Sequence, residues 1–113
     1  MEDRRKFVRL DTQLPLHYGL LPSGVTQAAT SKELGGGGLR LVTQEHVQPE
    51  SRIWIELQLP ERPLPVAFVA EVVWSERYDL KAVGPVELGV RFLDISHDDL
   101  QVIMRHVSSP SSP

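Results

Sequence analysis

Residues 66–74 read VAFVAEVVW, and apolar side chains occupy every second position of this stretch. A period of two is typical of a β-strand, because successive side chains point to opposite faces of a sheet. Phe68 and Trp74 fall in the same series, so we expect both in the core. The opposite face also carries Val69 and Val73, which indicates that this strand is partly covered on both sides.

The same alternation recurs in three further segments, which begin near Leu14, Ile53 and Val86. Two weaker strands are predicted at about residues 25–33 and 38–43. Turn signals rich in Gly, Pro and Ser separate the strands at residues 22–24, 48–51, 60–65 and 82–85. Six short strands at hairpin spacing favour a mainly β fold, either an antiparallel barrel or a sandwich.

The end of the chain predicts one helix followed by a tail. Ser96 is a favourable N-cap, and Asp98 and Asp99 complement the positive end of the helix dipole. The apolar positions that follow have the helical spacing i, i+3, i+4, i+7 and are Leu100, Ile103, Met104 and Val107. Residues 108–113, SSPSSP, have nothing to bury and are predicted to be disordered.

Length and composition are those of one soluble domain. With 113 residues, 41% of them hydrophobic and 24% charged, the chain can bury a core of its own. It contains no cysteine, which excludes disulfides, thiolate metal sites and a cysteine nucleophile. No apolar stretch has the length of a signal peptide core or a membrane span, so we expect a cytoplasmic protein without membrane insertion.

Positive charge is concentrated at the N-terminus. Residues 1–10 carry four cations, Arg4, Arg5, Lys6 and Arg9, against two carboxylates, whereas the whole chain has a net charge of −3. The remaining residues therefore carry five net negative charges, and such a body repels a long polyanion. The charge distribution argues against a nucleic acid polymer as partner but leaves open a small anion held at the N-terminal end.

Two stretches have the composition of a ligand site. Arg5 and Arg9 are four residues apart, so two guanidinium groups can converge on one phosphate or one guanine edge. The second stretch, SKELGGGGLRL at residues 31–41, holds four of the eight glycines, and glycine lets a ligand approach the bare backbone. Each stretch also has an ordinary explanation, a solvated chain end for the first and a slack hairpin turn for the second.

Taken with the rest of the sequence, these stretches resemble the PilZ domain family. Besides Arg5, Arg9 and the glycine-bearing motif, the resemblance is carried by Val-Val-Trp at residues 72–74 and by Gly-Val-Arg-Phe-Leu-Asp-Ile-Ser at residues 89–96. It covers roughly residues 4–107. The resemblance implies a six-stranded antiparallel β-barrel with a C-terminal α-helix and a flexible N-terminal arm.

On this basis the chain divides into three parts. Residues 1–10 are the arm, residues 11–107 the barrel with its helix, and residues 108–113 the disordered tail. The resemblance also implies a function, that of a bacterial receptor for the second messenger cyclic diguanylate (c-di-GMP) in the control of motility or biofilm formation. The signal would be relayed by ordering of the arm, after which the domain docks on an effector protein whose identity the sequence does not reveal. The ligand is then the one small molecule required, with no cofactor beside it.

The resemblance implies distinct roles for the three arginines of the arm. Arg5 and Arg9 would hold phosphates and guanine edges. Arg4 stands just before the motif, where a basic residue is associated in the family with two stacked, intercalated ligand molecules instead of one. Arg4 is therefore a candidate determinant of stoichiometry.

The family's second motif, Asp or Asn-x-Ser-x-x-Gly, is degenerate in this chain. With its last glycine on Gly38, Glu33 stands at the acidic position and Gly35 at the serine position, and registers ending on Gly35, Gly36 or Gly37 fit no better. Glu33 keeps a carboxylate for guanine N–H groups, whereas Gly35 has no hydroxyl, and one lost hydrogen bond weakens binding by up to about tenfold. A second hypothesis therefore stays open, a PilZ-type barrel that does not bind c-di-GMP and acts only as a protein-interaction module.

No residue pattern predicts catalysis or metal binding. The four histidines have no close ligand spacing, and without cysteine a zinc site is not expected. Glu71 interrupts an apolar strand without a partner carboxylate, which is typical of a solvent-facing strand position. The sequence offers no nucleophile beside a base and no phosphate loop, so we do not expect an enzyme.

Overall fold

The computed structural model describes residues 9–23, 26–77 and 84–108 of the chain. Arg4 and Arg5, most of the predicted arm and most of the predicted tail lie outside these described residues. Within the described part of the chain, no helix has the length and the apolar character needed to cross a membrane.

Seven strands and one helix make up the described fold. Their bounds are β1 Arg9–Asp11, β2 Pro15–Leu20, β3 Thr26–Gly35, β4 Gly38–Thr43, β5 Arg52–Leu57, β6 Val66–Arg77, β7 Val86–Asp94 and α1 His97–Ser108. Strands β2 to β7 pair antiparallel in the order β5-β2-β3-β4-β7-β6, and β6 returns to β5 to close the barrel. The predicted six-stranded antiparallel barrel with a C-terminal helix is confirmed.

The short strand β1 extends the sheet at one place. It pairs with the second half of β3, Arg9 opposite Gly35 and Asp11 opposite Glu33, whereas β2 pairs with the first half. Arg9 thus lies beside the glycine-bearing motif because a strand ladder holds it there. The motif itself was expected to be a ligand surface or a slack turn, and its glycines end β3, form the connection and begin β4.

The alternating apolar series of the strands fills the barrel. Tyr18 and Phe68 are the largest of its fully buried side chains, and Ile55 and Leu88 are completely inaccessible to solvent. Phe68 also meets Phe92 edge to face, with 4.9 Å between the ring centroids, a favourable arrangement of two aromatic quadrupoles. The period-two series in the sequence therefore locates most of the core correctly.

Helix α1 begins at the predicted cap. The Asp99 N–H donates a hydrogen bond to Ser96 Oγ at 3.1 Å, which satisfies one of the free donors of the first turn. Ile103 is buried as predicted, but Met104, which was expected on the same stripe, is 37% exposed. Val102 packs against the core instead. The expectation for Met104 was wrong because the helix turns the Val102 side of its surface toward the barrel.

A β-bulge in β3 sets the direction of the residues that follow it. Ser31 pairs with Leu41 and Glu33 pairs with Arg40, so Lys32 is the extra residue of the bulge. An inserted residue reverses which side chains face the barrel interior. Glu33 consequently lies across from Arg40 on the outer face of the barrel.

A second bulge, in β6, overturns one expectation. Val72 pairs with Val90 and Trp74 pairs with Gly89, so Val73 is the extra residue. Val72 is buried, Val73 is 52% exposed, and Trp74 leaves the inward series. The prediction that Trp74 belongs to the core was wrong because the bulge reverses the alternation after Val72.

Candidate functional site

A pocket of about 410 Å³ lies on the outer face of the barrel where strands β3, β4, β6 and β7 meet. Arg9 borders it from β1. Four residues singled out in the sequence line it together, namely Arg9, Glu33, Gly35 and Gly38. Arg4 and Arg5, the other two predicted site residues, lie outside the described residues. The roles of all six in ligand binding stay predictions at this point.

Glu33 forms ion pairs with two arginines in one wall of the pocket. Its Oε1 lies 3.3 Å from Arg9 Nη1, which donates a hydrogen bond to it, and 3.4 Å from Arg40 Nε. The Glu33 side chain is only 16% exposed, so most of its hydration is replaced by these two guanidinium groups. The carboxylate that was predicted to accept from guanine is thus shared between two arginines.

Arg40 connects Glu33 to a second, deeper carboxylate. Arg40 Nη1 lies 3.0 Å from Glu87 Oε2, and Lys32 Nζ lies 3.1 Å from Glu87 Oε1. Glu87 is 7% exposed, and a carboxylate so far from water must be paired. Two acidic and three basic side chains therefore form one continuous network along this wall.

Trp74 provides the aromatic surface of the pocket. Its indole lies against the backbone of Gly89 so closely that a Cβ atom at position 89 would be 2.3 Å from ring atoms Cε2 and Nε1. Any side chain at Gly89 would displace the ring. The pair therefore fixes an indole beside the charged wall, and indole faces stack well on nucleic acid bases.

The glycines of the second motif have a backbone role that the sequence did not define. A Cβ atom at Gly38 would be 2.1 Å from the Val90 carbonyl oxygen and 2.8 Å from Arg91 Cα, so β4 and β7 can approach only because this residue is glycine. The Phe92 N–H donates to the Gly37 carbonyl at 3.0 Å. These contacts tie the glycine-rich connection to β7 as a defined element of the pocket.

Arg91 lines the pocket from β7, whereas Arg9 borders it from β1. Arg91 Nε donates to Glu71 Oε1 at 2.7 Å, and the Arg91 side chain is 53% exposed. Glu71 is half-buried beside it, so the expected solvent-facing acid is the ion-pair partner of a pocket arginine. The pocket thus has arginines on β1 and on β7, of which Arg91 is the more accessible.

Among the pocket residues that sequence reasoning missed are three with charged or aromatic side chains, Arg40, Trp74 and Arg91. Trp74 was assigned to the interior because alternation alone cannot reveal a bulge. Arg40 becomes visible only once the pairing with Glu33 is known, and Arg91 only once β7 is placed opposite Gly38. All three lie in stretches that carry the family resemblance, but the residue pattern does not assign them to a pocket, because cross-strand partners are set by register.

Two groups away from the pocket have displaced pKa values. Burial raises the pKa of Tyr18 to about 12; its hydroxyl donates to Glu45 Oε1 at 2.9 Å and lies 2.6 Å from Thr43 Oγ1. The pKa of Glu61 is lowered, chiefly by the hydrogen bond that His106 Nδ1 donates to its Oε2 at 2.8 Å. Neither group lines the pocket. The described residues also include no cluster of three or more His, Cys, Asp or Glu side chains suited to a metal ion.

Comparison with protein families gives one result that covers nearly the whole chain. A family model described as PilZ domain matches residues 3–109. No curated protein matches the chain in sequence.

Comparison with solved structures identifies the same fold. The Bacillus subtilis inhibitor of motility MotI/DgrA matches with a TM-score of 0.79 and 19% identity, over 95% of this chain and 51% of that one. The PilZ domain of YcgR from Escherichia coli, solved with c-di-GMP, matches with a TM-score of 0.73 and 19% identity, over 95% and 91%. PlzA from Borreliella burgdorferi, in complex with c-di-GMP, matches with a TM-score of 0.58 and 12% identity, over 89% and 49%. The chain thus spans about half the length of MotI/DgrA and of PlzA, and at these identities the similarity concerns the fold.

Proposed function

The chain belongs to the PilZ domain family, and we propose that it is a receptor for c-di-GMP whose binding site is the pocket between β3, β4, β6 and β7. The observation that carries this proposal is the combination of Arg9, Arg40 and Arg91 with Trp74 around one glycine-rich strand connection. Guanidinium groups, an aromatic face and bare backbone are the groups that a cyclic guanine dinucleotide requires.

Each part of the ligand has a counterpart in the pocket. The two phosphates are compact anions that arginine binds through two parallel hydrogen bonds, which suits Arg9 and Arg91. A guanine base can stack on the Trp74 indole, and the N–H groups of its Watson–Crick edge can donate to Glu33. Gly35 has no side chain to hinder a ligand at the backbone, and Gly38 lines the pocket close to it.

The arm is proposed to complete the site. Arg9 lies at the border of the pocket. The arm is joined to the barrel at this residue, and Arg5 precedes it by four residues in sequence. Like charges in the arm repel one another without a ligand, and the phosphates of c-di-GMP would draw them together against the barrel. We assign phosphate and guanine contacts to Arg5 and the choice between one and two bound ligands to Arg4.

The output of such a domain is regulatory and not catalytic. The solved relatives include a PilZ domain with c-di-GMP and an inhibitor of motility. We infer that the surface formed by arm, ligand and barrel docks on an effector protein in the bacterial cytoplasm, in a pathway of motility or biofilm control.

A second function is favoured by a specific observation. Gly35 offers no hydroxyl, and Arg9 and Arg40 are already ion-paired with the Glu33 carboxylate. A barrel in which these pairs never open would be an interaction module that needs no nucleotide.

Calorimetric titration of the protein with c-di-GMP separates the two functions. Saturable binding supports the receptor, and a stoichiometry near two ligands per chain that falls to one in Arg4→Leu supports the role of Arg4. No binding at high ligand concentration would overturn the receptor and leave the interaction module.

A further inference from the structure

We propose that Arg40 is a positioning residue for guanine recognition: it retains Glu33 in the pocket wall while Arg9 leaves Glu33 to bind phosphate. This inference rests on the proposed function and adds to it the residue that makes the site selective for guanine. It explains how a carboxylate that is paired with two arginines can still be available to the ligand.

The starting point is a carboxylate shared by two cations. Glu33 Oε1 is 3.3 Å from Arg9 Nη1 and 3.4 Å from Arg40 Nε. A phosphate placed at Arg9 competes directly with Glu33, because both are anions that need the same guanidinium group. A phosphate at Arg9 therefore weakens the attraction between Arg9 and Glu33.

The two arginines are held very differently. Arg9 belongs to a strand of three residues at a sheet edge, and its side chain is 49% exposed. Arg40 lies within β4, between Glu33 on β3 and Gly89 on β7, and its Nη1 is 3.0 Å from Glu87 Oε2. The pair that opens is accordingly Arg9–Glu33.

Glu87 makes Arg40 a fixed partner. The Glu87 side chain is 10% exposed, and Lys32 binds its other carboxylate oxygen at 3.1 Å. Moving Arg40 would leave a buried carboxylate with less compensation, which is unfavourable. Arg40 therefore stays with Glu87 whatever occupies the pocket.

A buried donor of Arg40 that lacks a hydrogen-bond partner favours keeping Glu33 beside Arg40. Arg40 Nε is buried and has no hydrogen-bond partner among the described residues, although Glu33 Oε1 is 3.4 Å away. The distance suits charge attraction but the geometry does not meet the requirements of a hydrogen bond. Once Arg9 is released, a small rotation of the Glu33 carboxylate can satisfy this donor while its second oxygen faces the pocket.

The consequence is selectivity between bases. Guanine presents two adjacent N–H donors to such a carboxylate, whereas adenine presents a ring acceptor at the equivalent position. A fixed carboxylate rejects the base that leaves it unpaired, and a mobile one does so less well. Arg40 should therefore affect the preference for guanine more than the affinity for phosphate.

Calorimetry with two ligands tests this directly. The ligands are c-di-GMP and cyclic diadenylate, which share the same phosphates and sugars, and the variants are Arg40→Gln, Arg40→Lys and the control Arg52→Gln. Arg52 is an exposed arginine on β5 that does not line the pocket. We expect Arg40→Gln to reduce the ratio of the two affinities by about tenfold, and Arg52→Gln to leave the ratio unchanged.

The Arg40→Lys variant is the control for a folding defect in Arg40→Gln. Lysine keeps the charge beside Glu87 but has no planar fork to reach Glu33 at the same time, so we expect normal thermal stability with reduced selectivity. An unchanged affinity ratio in both Arg40 variants would overturn the inference and leave the receptor function intact.

Hydrogen exchange of the ligand-free protein supplies a readout that needs no nucleotide. In Arg40→Gln, Glu33 has Arg9 as its remaining partner, so the amides of Arg9–Asp11 should exchange more slowly than in the wild type. If the wild type bound neither ligand, the receptor function would fail, and this exchange would still decide whether Arg40 and Arg9 compete for Glu33. Unchanged exchange would overturn that competition.

Discussion

The two sides of the barrel differ in regularity. The ladders that join β2 to β5 and β5 to β6 run without a shift, whereas the two ladders that flank the regular β4–β7 pairing, β3 with β4 and β6 with β7, contain bulges. Each side carries one tryptophan. Trp54, on the regular side, donates its Nε1–H to Glu56 at 3.3 Å, and Trp74, on the bulged side, lines the pocket. The candidate site thus lies beside the two bulges, where strand alternation fails, because bulges re-aim side chains.

The largest expected effect is a loss of stability in Gly38→Ala on the bulged side. The added Cβ meets the Val90 carbonyl at 2.1 Å, which forces β4 and β7 apart and should lower the free energy of unfolding by about 3 kcal/mol or more. Thermal denaturation measures the loss, on the order of 10 °C. Ala28→Val, at an exposed position of β3, is the control and should change little. Equal stability of the two variants would show that the strands are not in such close contact.

Arg9→Ala should weaken c-di-GMP binding by about 10- to 100-fold, the usual range for a lost charge-assisted hydrogen bond. Its side chain is 49% exposed and its ion pair lies at the surface, so thermal stability should stay nearly constant. The matched control on the regular side is Arg52→Ala, measured by the same titration. A large loss of stability in Arg9→Ala would instead make Arg9 a structural residue.

The two tryptophans allow a direct test of the asymmetry. Trp74→Ala should reduce affinity by about tenfold, because stacking of a base on an aromatic ring contributes roughly 1–3 kcal/mol. Trp54→Ala should leave affinity unchanged, since Trp54 does not line the pocket. Equal losses in both variants, measured by calorimetry, would remove the distinction between the two sides.

Gly35→Ser restores the hydroxyl that the second motif lacks. If the register that ends on Gly38 is correct, c-di-GMP binding should strengthen by a few-fold to about tenfold. The comparison variant is Gly36→Ser, which adds the same hydroxyl one position away. A gain in Gly36→Ser without one in Gly35→Ser would move the motif to another register.

The smallest expected effect is a pH-dependent change in stability far from the pocket, at the contact of Glu61 with His106. Because the folded-state pKa of Glu61 is lowered from its ordinary 4.5, its contribution to stability is present above that pH and disappears as the pH falls through the folded-state value. Glu61→Gln should therefore cost about 0.5 kcal/mol or less near pH 6 and nothing near pH 2, since Glu61 is exposed. Thermal melts at the two pH values measure the difference. An equal cost at both would exclude the charge as its cause.

The sequence predicts the regular parts of the molecule well. The inward series of β2, β5 and β7 is buried as expected, and the Ser96 cap begins the helix. These features depend on local periodicity and capping, which a single sequence displays. The resemblance to the PilZ family supplied the closed barrel, which alternation alone did not distinguish from a sandwich.

The pocket was only partly predictable. Arg9, Glu33, Gly35 and Gly38 were identified through motifs, and the structure brings them together. Trp74 was placed on the wrong face because the Val73 bulge has no signature in the residue pattern. The pairing of Arg40 with Glu33 and Glu87 depends on register across three strands, which periodicity does not determine.

A nuclear magnetic resonance titration would locate the c-di-GMP site in one experiment, because the two indole N–H groups report on the two sides of the barrel. On addition of c-di-GMP, the Trp74 indole resonance and the backbone amides of Gly35, Gly38 and Gly89 should shift until saturation, while the Trp54 indole resonance stays in place. Shifts confined to Trp54 and its neighbours, or no shifts at all, would contradict a c-di-GMP site on the bulged side.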